Sequence, residues 1–366
     1  MLCVTGVWRY HRRQQEIEPT PSFYRVASRK KRSMNKHHNN SVTLPDWLDH
    51  IIFNGLGAVY NPDHFKFSYN LDHTKDDILV YLGTYFPRSY AEAYVIMCDL
   101  LANATICSTF ATKERISILD LGCGTGGEIF GTMCALVDVL GSNTSFDVVA
   151  IDGNQNATRM FERVLTHIKS AGNLDVKDNI GSIAIDDKAD MDMLGDVVNN
   201  GFDVVLSFKA VNEFIQRKRF SDNAYKHFAE ILAPKLSDEG LLILLDVATR
   251  DDISGVYYPV IMNKGLNDFI QNNYEFATIL PLPCSLVDAD CDNSCYMQQR
   301  FHVSHSHRAN DLSKVAYRVI GRKNFVMSLN LAADSKFCLY KINDSRETCC
   351  PHFTGSEIKN GFKLIL

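Results

Sequence analysis

The 366 residues contain no apolar run long enough to cross a bilayer as a helix, so no membrane role is expected. There is no excess of positive charge either. The formal net charge is −5, which gives no global case for nucleic-acid binding, so any RNA contact has to come from a local basic patch. Eleven cysteines are too few for a disulfide scaffold of this length. With no clear signal peptide, a reducing compartment is expected, and clustered cysteines there suggest metal before disulfides. The paired C-x2-C of common zinc modules is missing. What is present is ordinary for a globular protein: 46% hydrophobic and 22% charged residues, over a length that allows two or three domains.

One stretch organises the chain. Residues 116–130 read Ile-Ser-Ile-Leu-Asp-Leu-Gly-Cys-Gly-Thr-Gly-Gly-Glu-Ile-Phe. β-favouring residues run into Asp120, glycines follow at Gly122, Gly124, Gly126 and Gly127, and apolar residues then resume at helical spacing from Ile129 to Leu140. This is a strand, a tight turn and a helix whose first N–H groups point at whatever lies there. Dinucleotide sites prefer G-x-G-x-x-G, and that third-glycine spacing is absent. A carboxylate at Asp120 would repel a pyrophosphate but would suit an ammonium group.

Residues 1–40 read as a basic, solvated tail, with Arg25, Arg29, Lys30, Lys31, Arg32 and Lys36. Met34 could be an alternative start. Residues 41–110 read as a helical cap, with Pro87 opening a helix that carries Tyr90, Tyr94, Met97, Leu100 and Leu101. Residues 111–280 alternate strands and helices. Strands are expected at 116–119, 146–151, 183–185, 202–207 and 241–245, which argues a mostly parallel sheet with its ligand beyond the strands' carboxyl ends.

Three strand ends supply further candidates. Asp152, beside Gly153, can accept both hydroxyls of a ribose; a helix N-cap is its plainer use. Asp187, in the Asp186-Asp187 pair, could lie near an adenine, although such a pair also suits a turn. Ser207 and Lys209 would line the mouth of the site, followed by Asn212-Glu213-Phe214.

Residues 281–366 read as a cysteine-containing, β-rich extension, with strands expected at 315–320, 325–329 and 337–342. Cys284, Cys291 and Cys295 are spaced C-x6-C-x3-C, with Cys338, Cys349 and Cys350 further on. Three thiolates in one loop suit zinc or an iron–sulfur cluster, and scattered free thiols fit as well. A basic and aromatic run follows, including Arg300, His302, His305, His307, Arg308, Lys314, Tyr317, Arg318, Arg322 and Lys323. It suits RNA phosphates and bases, or simply one solvated face of a sheet.

The segment Asp120-Leu121-Gly122-Cys123-Gly124-Thr125-Gly126 resembles the first motif of class I S-adenosylmethionine-dependent methyltransferases, roughly Asp-x-Gly-x-Gly-x-Gly. In that family the loop passes under the methionine part of the cofactor. Four stretches together resemble a narrower family, the methyltransferase-like small-subunit ribosomal assembly factors of mitochondria and bacteria. They are Tyr85-Phe86-Pro87-Arg88-Ser89-Tyr90-Ala91, the loop itself, Ser207 through Asn212-Glu213-Phe214, and the cysteine region with Tyr296, Arg300, His307 and Arg308. The match spans about residues 75–355. The chain departs from that family after its fifth strand, where Asp246-Val247-Ala248-Thr249 replaces Glu-Pro-Gly-Thr, and at Ser294, where a Trp is usual.

The resemblance implies a Rossmann-like class I methyltransferase sheet between a helical cap and the cysteine-containing extension. It implies S-adenosylmethionine on Asp120, Gly122, Cys123, Gly124, Thr125, Gly126, Asp152, Gly153, Asp187, Ser207 and Lys209. It also implies a [4Fe–4S] cluster on Cys284, Cys291, Cys295 and Cys350 (or Cys349), with zinc as the alternative, and contact with ribosomal RNA or the small ribosomal subunit. The expected activity is methyl transfer to small-subunit RNA. The alternatives are a catalytically silent assembly factor and a small-molecule methyltransferase with a zinc-stabilised tail. No Asn-Pro-Pro-Tyr segment of amino-methylating enzymes occurs, nor a cysteine placed as a cytosine-C5 nucleophile; Glu213 is the candidate general base. The expected address is cytoplasmic, or the mitochondrial matrix in a eukaryote.

Overall fold

The computed structural model describes residues 40–62, 71–172, 174–280 and 299–329, with the backbone of 341–343 and 346–348. The chain divides into 1–38 and 39–366, and every described residue belongs to the second unit. Nine strands form its main sheet: β1 (Ser41–Thr43), β2 (Ile116–Leu121), β3 (Ser145–Asp152), β4 (Asp175–Ser182), β5 (Phe202–Phe208), β6 (Leu236–Val247), β7 (Phe276–Leu280), β8 (Gln299–His305) and β9 (Arg308–Arg322). β10 (Lys341–Asn343) and β11 (Arg346–Thr348) make a separate antiparallel pair. The helices are α1 (Asp46–Asp49), which runs into a π-helical turn at His50–Gly55, α2 (Lys75–Thr84), α3 (Phe86–Leu101), α4 (Ala104–Ala111), α5 (Gly127–Leu140), α6 (Gln155–Ser170), α7 (Lys188–Val197), α8 (Val211–Gln216), α9 (Ala224–Leu232), α10 (Tyr258–Asn272) and α11 (Lys323–Ser328).

The strand order is β1-β8-β9-β6-β5-β2-β3-β4, and β2 to β6 are mutually parallel. The long β9 runs antiparallel to β6 along one edge, and meets β7 and β8 end to end along the other. The chain works outward from β2 to β4, then crosses back to β5. The switch point therefore falls between β2 and β5, where open α/β sheets bind ligands beyond their carboxyl ends.

Side chains alternate across these strands and so feed two cores. Ile118, Val204, Leu206, Ile243 and Leu245 face the layer of α3, α5 and α6. Leu119, Val205, Leu242 and Leu244 face α9 and α10. α6 shows why such helices form. Asn154 caps it by accepting from the N–H groups of Asn156 and Ala157, and Ala157, Phe161, Val164 and Ile168 bury one face.

Four expectations need correction. Residues 183–185 are not a strand; the third parallel strand is β4, just upstream. It is an edge strand, half exposed, and reads Asp-Val-Lys-Asp-Asn-Ile-Gly-Ser, so it carries the charge that edges tolerate and little apolar signal. Residues 325–329 fall in and just after the short helix α11. The boundary drawn at 280 cuts through one sheet: Phe301, Val303, Val315 and Val319 share a core with α3 and α5. Likewise the segment 41–110 contributes β1 to the sheet edge, and α3 packs directly on α5. A Cβ on Gly131 would lie 2.3 Å from the Tyr90 carbonyl, so these two helices approach as closely as a glycine permits. Of residues 337–342, the described part, 341–342, is in β10. Among the described residues no single helix is long and apolar enough to cross a membrane.

Candidate functional site

β2 ends at Leu121, and the glycine turn follows with Gly122, Gly124 and Gly126 all at positive φ. Gly126 is the N-cap of α5 at φ +84°, and a Cβ there would sit 2.5 Å from the Phe161 ring, so both backbone and space demand glycine. The turn is tied to β3 rather than left open. Gly122 and Cys123 donate to the Ile151 carbonyl, and Gly124 donates to the Asp152 carboxylate at 2.8 Å. These three N–H groups are thus spent inside the protein, unlike those of a phosphate-cradling loop.

The cleft over this turn is lined by Gly122, Asp152, Gly153, Lys209 and Glu213 among the sequence candidates. Leu71, Tyr81, Ile183, Ile185 and Phe214 give it apolar walls. Asp152 is 5% exposed and also accepts from the Asn154 N–H at 2.7 Å. Burial raises its pKa, against the pull of those two N–H donors. Helix capping is therefore left to Asn154.

Asp120 is fully buried, does not line the cleft, and has the Glu128 carboxyl as its side-chain hydrogen-bond partner. Burial, then the charges of Glu128 and Asp152, push it well above the usual carboxylate range. Glu128, in the first turn of α5, is 4% exposed and pushed up to about 8 by burial; its backbone N–H and Lys209 oppose the shift. Lys209 stands at φ +57° just past β5. Its ammonium lies 2.7 Å from the carboxylate of Glu92, a fully buried residue of α3, and donates to the Ser89 hydroxyl at 3.3 Å.

The remaining candidates sit around this centre. Cys123 and Thr125 are buried within the turn, and burial raises the Cys123 thiol. Ser207 is fully buried with its hydroxyl unpartnered. Asp187 caps α7 by accepting from the Asp190 N–H at 3.0 Å; Ile183 and Ile185 of that segment, not Asp187, line the cleft. At the end of β6, buried Asp246 accepts from the Tyr225 hydroxyl and from the N–H of Asn212, and burial pushes it up to about 7. That fixes the segment leading to Glu213.

Reasoning from sequence missed Glu92, Glu128, Tyr81 and Arg219. The only signal for Glu128 was a charge two residues after the glycine turn, on a helix otherwise apolar along 129–137. Arg219 donates to the Ile185 carbonyl and stands over the Phe214 ring, 5.0 Å from its centroid.

The basic run splits. Arg88 and Asp311 form a buried bidentate pair at 2.7 and 2.8 Å. Arg318 is buried on Asn263, and Arg322 donates to the Leu236 carbonyl. His305 is buried and stacks on Phe53. Arg300 and Lys314 are exposed and directly opposite each other on β8 and β9. Cys284, Cys291, Cys295, Cys338, Cys349 and Cys350 lie outside the described residues. Among the described residues no group of three or more His, Cys, Asp or Glu is placed to hold a metal ion. Cys98, Cys107, Cys123 and Cys134 are free thiols, two half-buried and two buried.

No family model matches the chain, and no curated protein does. Solved structures do. A protein of Listeria monocytogenes assigned as a class I S-adenosylmethionine-dependent methyltransferase is 13% identical over 75% of this chain and 78% of its own, with a TM-score of 0.38. The plantazolicin methyltransferase BpumL, solved with S-adenosylhomocysteine, is 15% identical over 75% of this chain and 94% of its own, at 0.33. The [4+2]-cyclase SpnF is 14% identical over 49% of this chain at 0.29, and the chain spans only 57% of its length. The architecture is α/β and Rossmann-like, with a parallel-dominated sheet and helices on both faces.

Proposed function

We propose that this chain binds S-adenosylmethionine at the β2–β5 switch point and directs its methyl group to small-subunit ribosomal RNA. The observation that carries the cofactor reading is the pair of buried carboxyls, Asp120 and Glu128, beside a glycine turn that has already spent the N–H groups of Gly122, Cys123 and Gly124. Two buried carboxyls suit a cationic ligand and repel a pyrophosphate. The residues present fit this cofactor. Asp120 would take its ammonium group. Asp152, with a free lone pair on each oxygen after its two N–H contacts, would take the ribose hydroxyls. Ile183, Ile185 and Phe214 would flank the adenine.

When bound, the cofactor supplies an electrophilic methyl group on a sulfonium, so the protein's task is alignment and exclusion of water. Lys209, fixed by Glu92 and Ser89, stiffens the wall from which the acceptor would approach. Glu213 lines the same cleft and would take a proton from an acceptor. The RNA reading is supported by the family resemblance of the four sequence stretches and by Arg300 opposite Lys314, a like-charge pair that a phosphate would relieve. A [4Fe–4S] cluster on Cys284, Cys291, Cys295 and Cys350 (or Cys349) belongs to the same proposal, with visible absorbance and iron content after anaerobic purification as its readout.

The test is transfer of labelled methyl from S-adenosylmethionine to small-subunit RNA extracted from cells lacking the protein. Incorporation that Asp120→Asn abolishes supports the proposal. Cofactor binding without incorporation would assign a silent assembly factor instead, and no binding would refute both.

A further inference from the structure

The turn after β5 supplies one wall of the cleft through Lys209, Ala210, Glu213 and Phe214. It carries backbone strain, because Lys209 stands at φ +57°, a region that side chains disfavour. Such a residue persists only where its surroundings fix it. Here β6 does so. The Lys209 N–H donates to the Leu245 carbonyl at 2.7 Å. The next residue of β6, Asp246, is fully buried, and four donors converge on its carboxylate. The Asn212 N–H reaches Oδ2 at 2.8 Å, and the Tyr225 hydroxyl of α9 reaches it at 2.9 Å. The Val247 N–H reaches Oδ1 at 2.7 Å. The Asn212 amide, oriented by the acceptors around it, donates to Oδ1 at 3.0 Å and to the Lys209 carbonyl at 2.9 Å. The turn is thus tied to β6 at Lys209 and again at Asn212. It also packs on the glycine turn: a Cβ on Gly122 would lie 2.4 Å from the Ala210 Cβ.

Resting on the cofactor reading above, we propose that Asp246 is a positioning residue for the cofactor cleft: as a carboxylate it holds the 209–213 turn in its strained shape and so sets Glu213 and Phe214 against the ligand. The hydrogen-bond count leads there. An ionised carboxylate only accepts, and the four donors around Asp246 match its lone pairs. A proton on either oxygen, or the NH2 group of an amide in its place, sets a donor against a donor and releases at least one of them. Two of the four belong to Asn212, so a weakened carboxylate loosens the turn. Asp246 itself does not line the cleft; it acts through Asn212 and Lys209. The titratable groups facing it are Lys209 of the turn, Tyr225 of α9 and Tyr258 of α10. Burial pushes its carboxyl up to about 7, against the Val247 and Asn212 N–H groups, the Tyr225 hydroxyl and the Lys209 charge. The cleft should therefore hold its ligand tightly above that pH and slacken below it.

The experiment is equilibrium dialysis of labelled S-adenosylhomocysteine against the full chain at pH 6 and pH 8. It is run on the wild type, Asp246→Asn and Asn212→Ala, with the unfolding midpoint of each at both pH values. From pH 8 to pH 6 the wild-type affinity is expected to fall by about tenfold more than that of Asp246→Asn, which should bind weakly at both. The ligand's amine and the other carboxyls of the site titrate in both proteins, so the comparison removes them. Asn212→Ala should bind about fivefold more weakly than the wild type and keep its pH dependence. A residue that merely supported the fold would lower the unfolding midpoint when changed, but would leave the two pH profiles parallel. Parallel profiles, or wild-type affinity in Asn212→Ala, overturn this inference and leave the cofactor reading intact. No binding to the folded wild type overturns both. If Asp246→Asn does not fold, Asn212→Ala, a change at a half-buried position, decides the matter.

Discussion

Replacing Glu128 by glutamine removes one buried carboxyl from beneath the glycine turn while keeping its size. Glu128 titrates near 4.5 when unfolded and near 8 in the folded protein, because burial outweighs Lys209 and its own backbone N–H. The folded state therefore binds the proton more tightly than the unfolded state. Its contribution to stability is fully present below about pH 4.5 and is lost as pH rises through about 8. One such group changes stability by at most about 1.4 kcal/mol per pH unit inside that window. Asp120 shares the same field, so the two do not titrate independently, and about 1 kcal/mol per unit is a fair expectation. Between pH 5.5 and 7.5 the ligand-free wild type should thus lose about 2 kcal/mol more than Glu128→Gln. Urea unfolding of both proteins at the two pH values measures this, and subtracting one from the other cancels the remaining titrating groups. A difference that is flat, or that favours the wild type at the higher pH, would show that Glu128 is ionised in the folded protein and would rule out its raised proton affinity.

Other outcomes follow from single contacts. Gly126→Ala places a Cβ 2.5 Å from the Phe161 ring at φ +84°, so it should cost about 2–4 kcal/mol in thermal or urea unfolding. Arg88→Ala leaves Asp311 buried and uncompensated, and should cost about 3–5 kcal/mol. Changing Arg300 and Lys314 together to alanine should leave the unfolding midpoint unchanged or slightly raised, because like charges face each other there. The same double change should lower the salt dependence of small-subunit RNA binding by about two phosphate contacts in a filter-binding series.

The turn was legible because glycines at positive φ and a closing aspartate leave a local signature. The parallel core was legible because β2, β5 and β6 carry short apolar runs, Ile118-Leu119, Val204-Val205-Leu206 and Leu241–Leu245. β4 was not, because an edge strand needs no such run. Glu92 and Glu128 were missed for another reason. A carboxylate on a helix reads as a solvated face until the helix is seen lying against a loop, and α3 and α5 meet the site from the side. The basic run at 300–323 looked like one patch because its partners are remote. Arg318 finds Asn263 on α10, and Arg322 finds the Leu236 carbonyl at the start of β6. Only the fold separates those internal pairs from Arg300 and Lys314 on the surface. The join of β8 and β9 to the sheet was hidden likewise, since the segment before β8 is polar and suggested a boundary.

The most direct measurement is equilibrium dialysis of labelled S-adenosylmethionine against the wild type, Asp120→Asn and Asp152→Asn. Saturable binding to the wild type is expected, weakened at least tenfold by each change, while circular dichroism and the unfolding midpoint show both variants folded. No binding to folded wild type, or affinity unchanged in Asp120→Asn, would overturn the assignment of the buried carboxylate at the end of β2 to the cofactor's ammonium group.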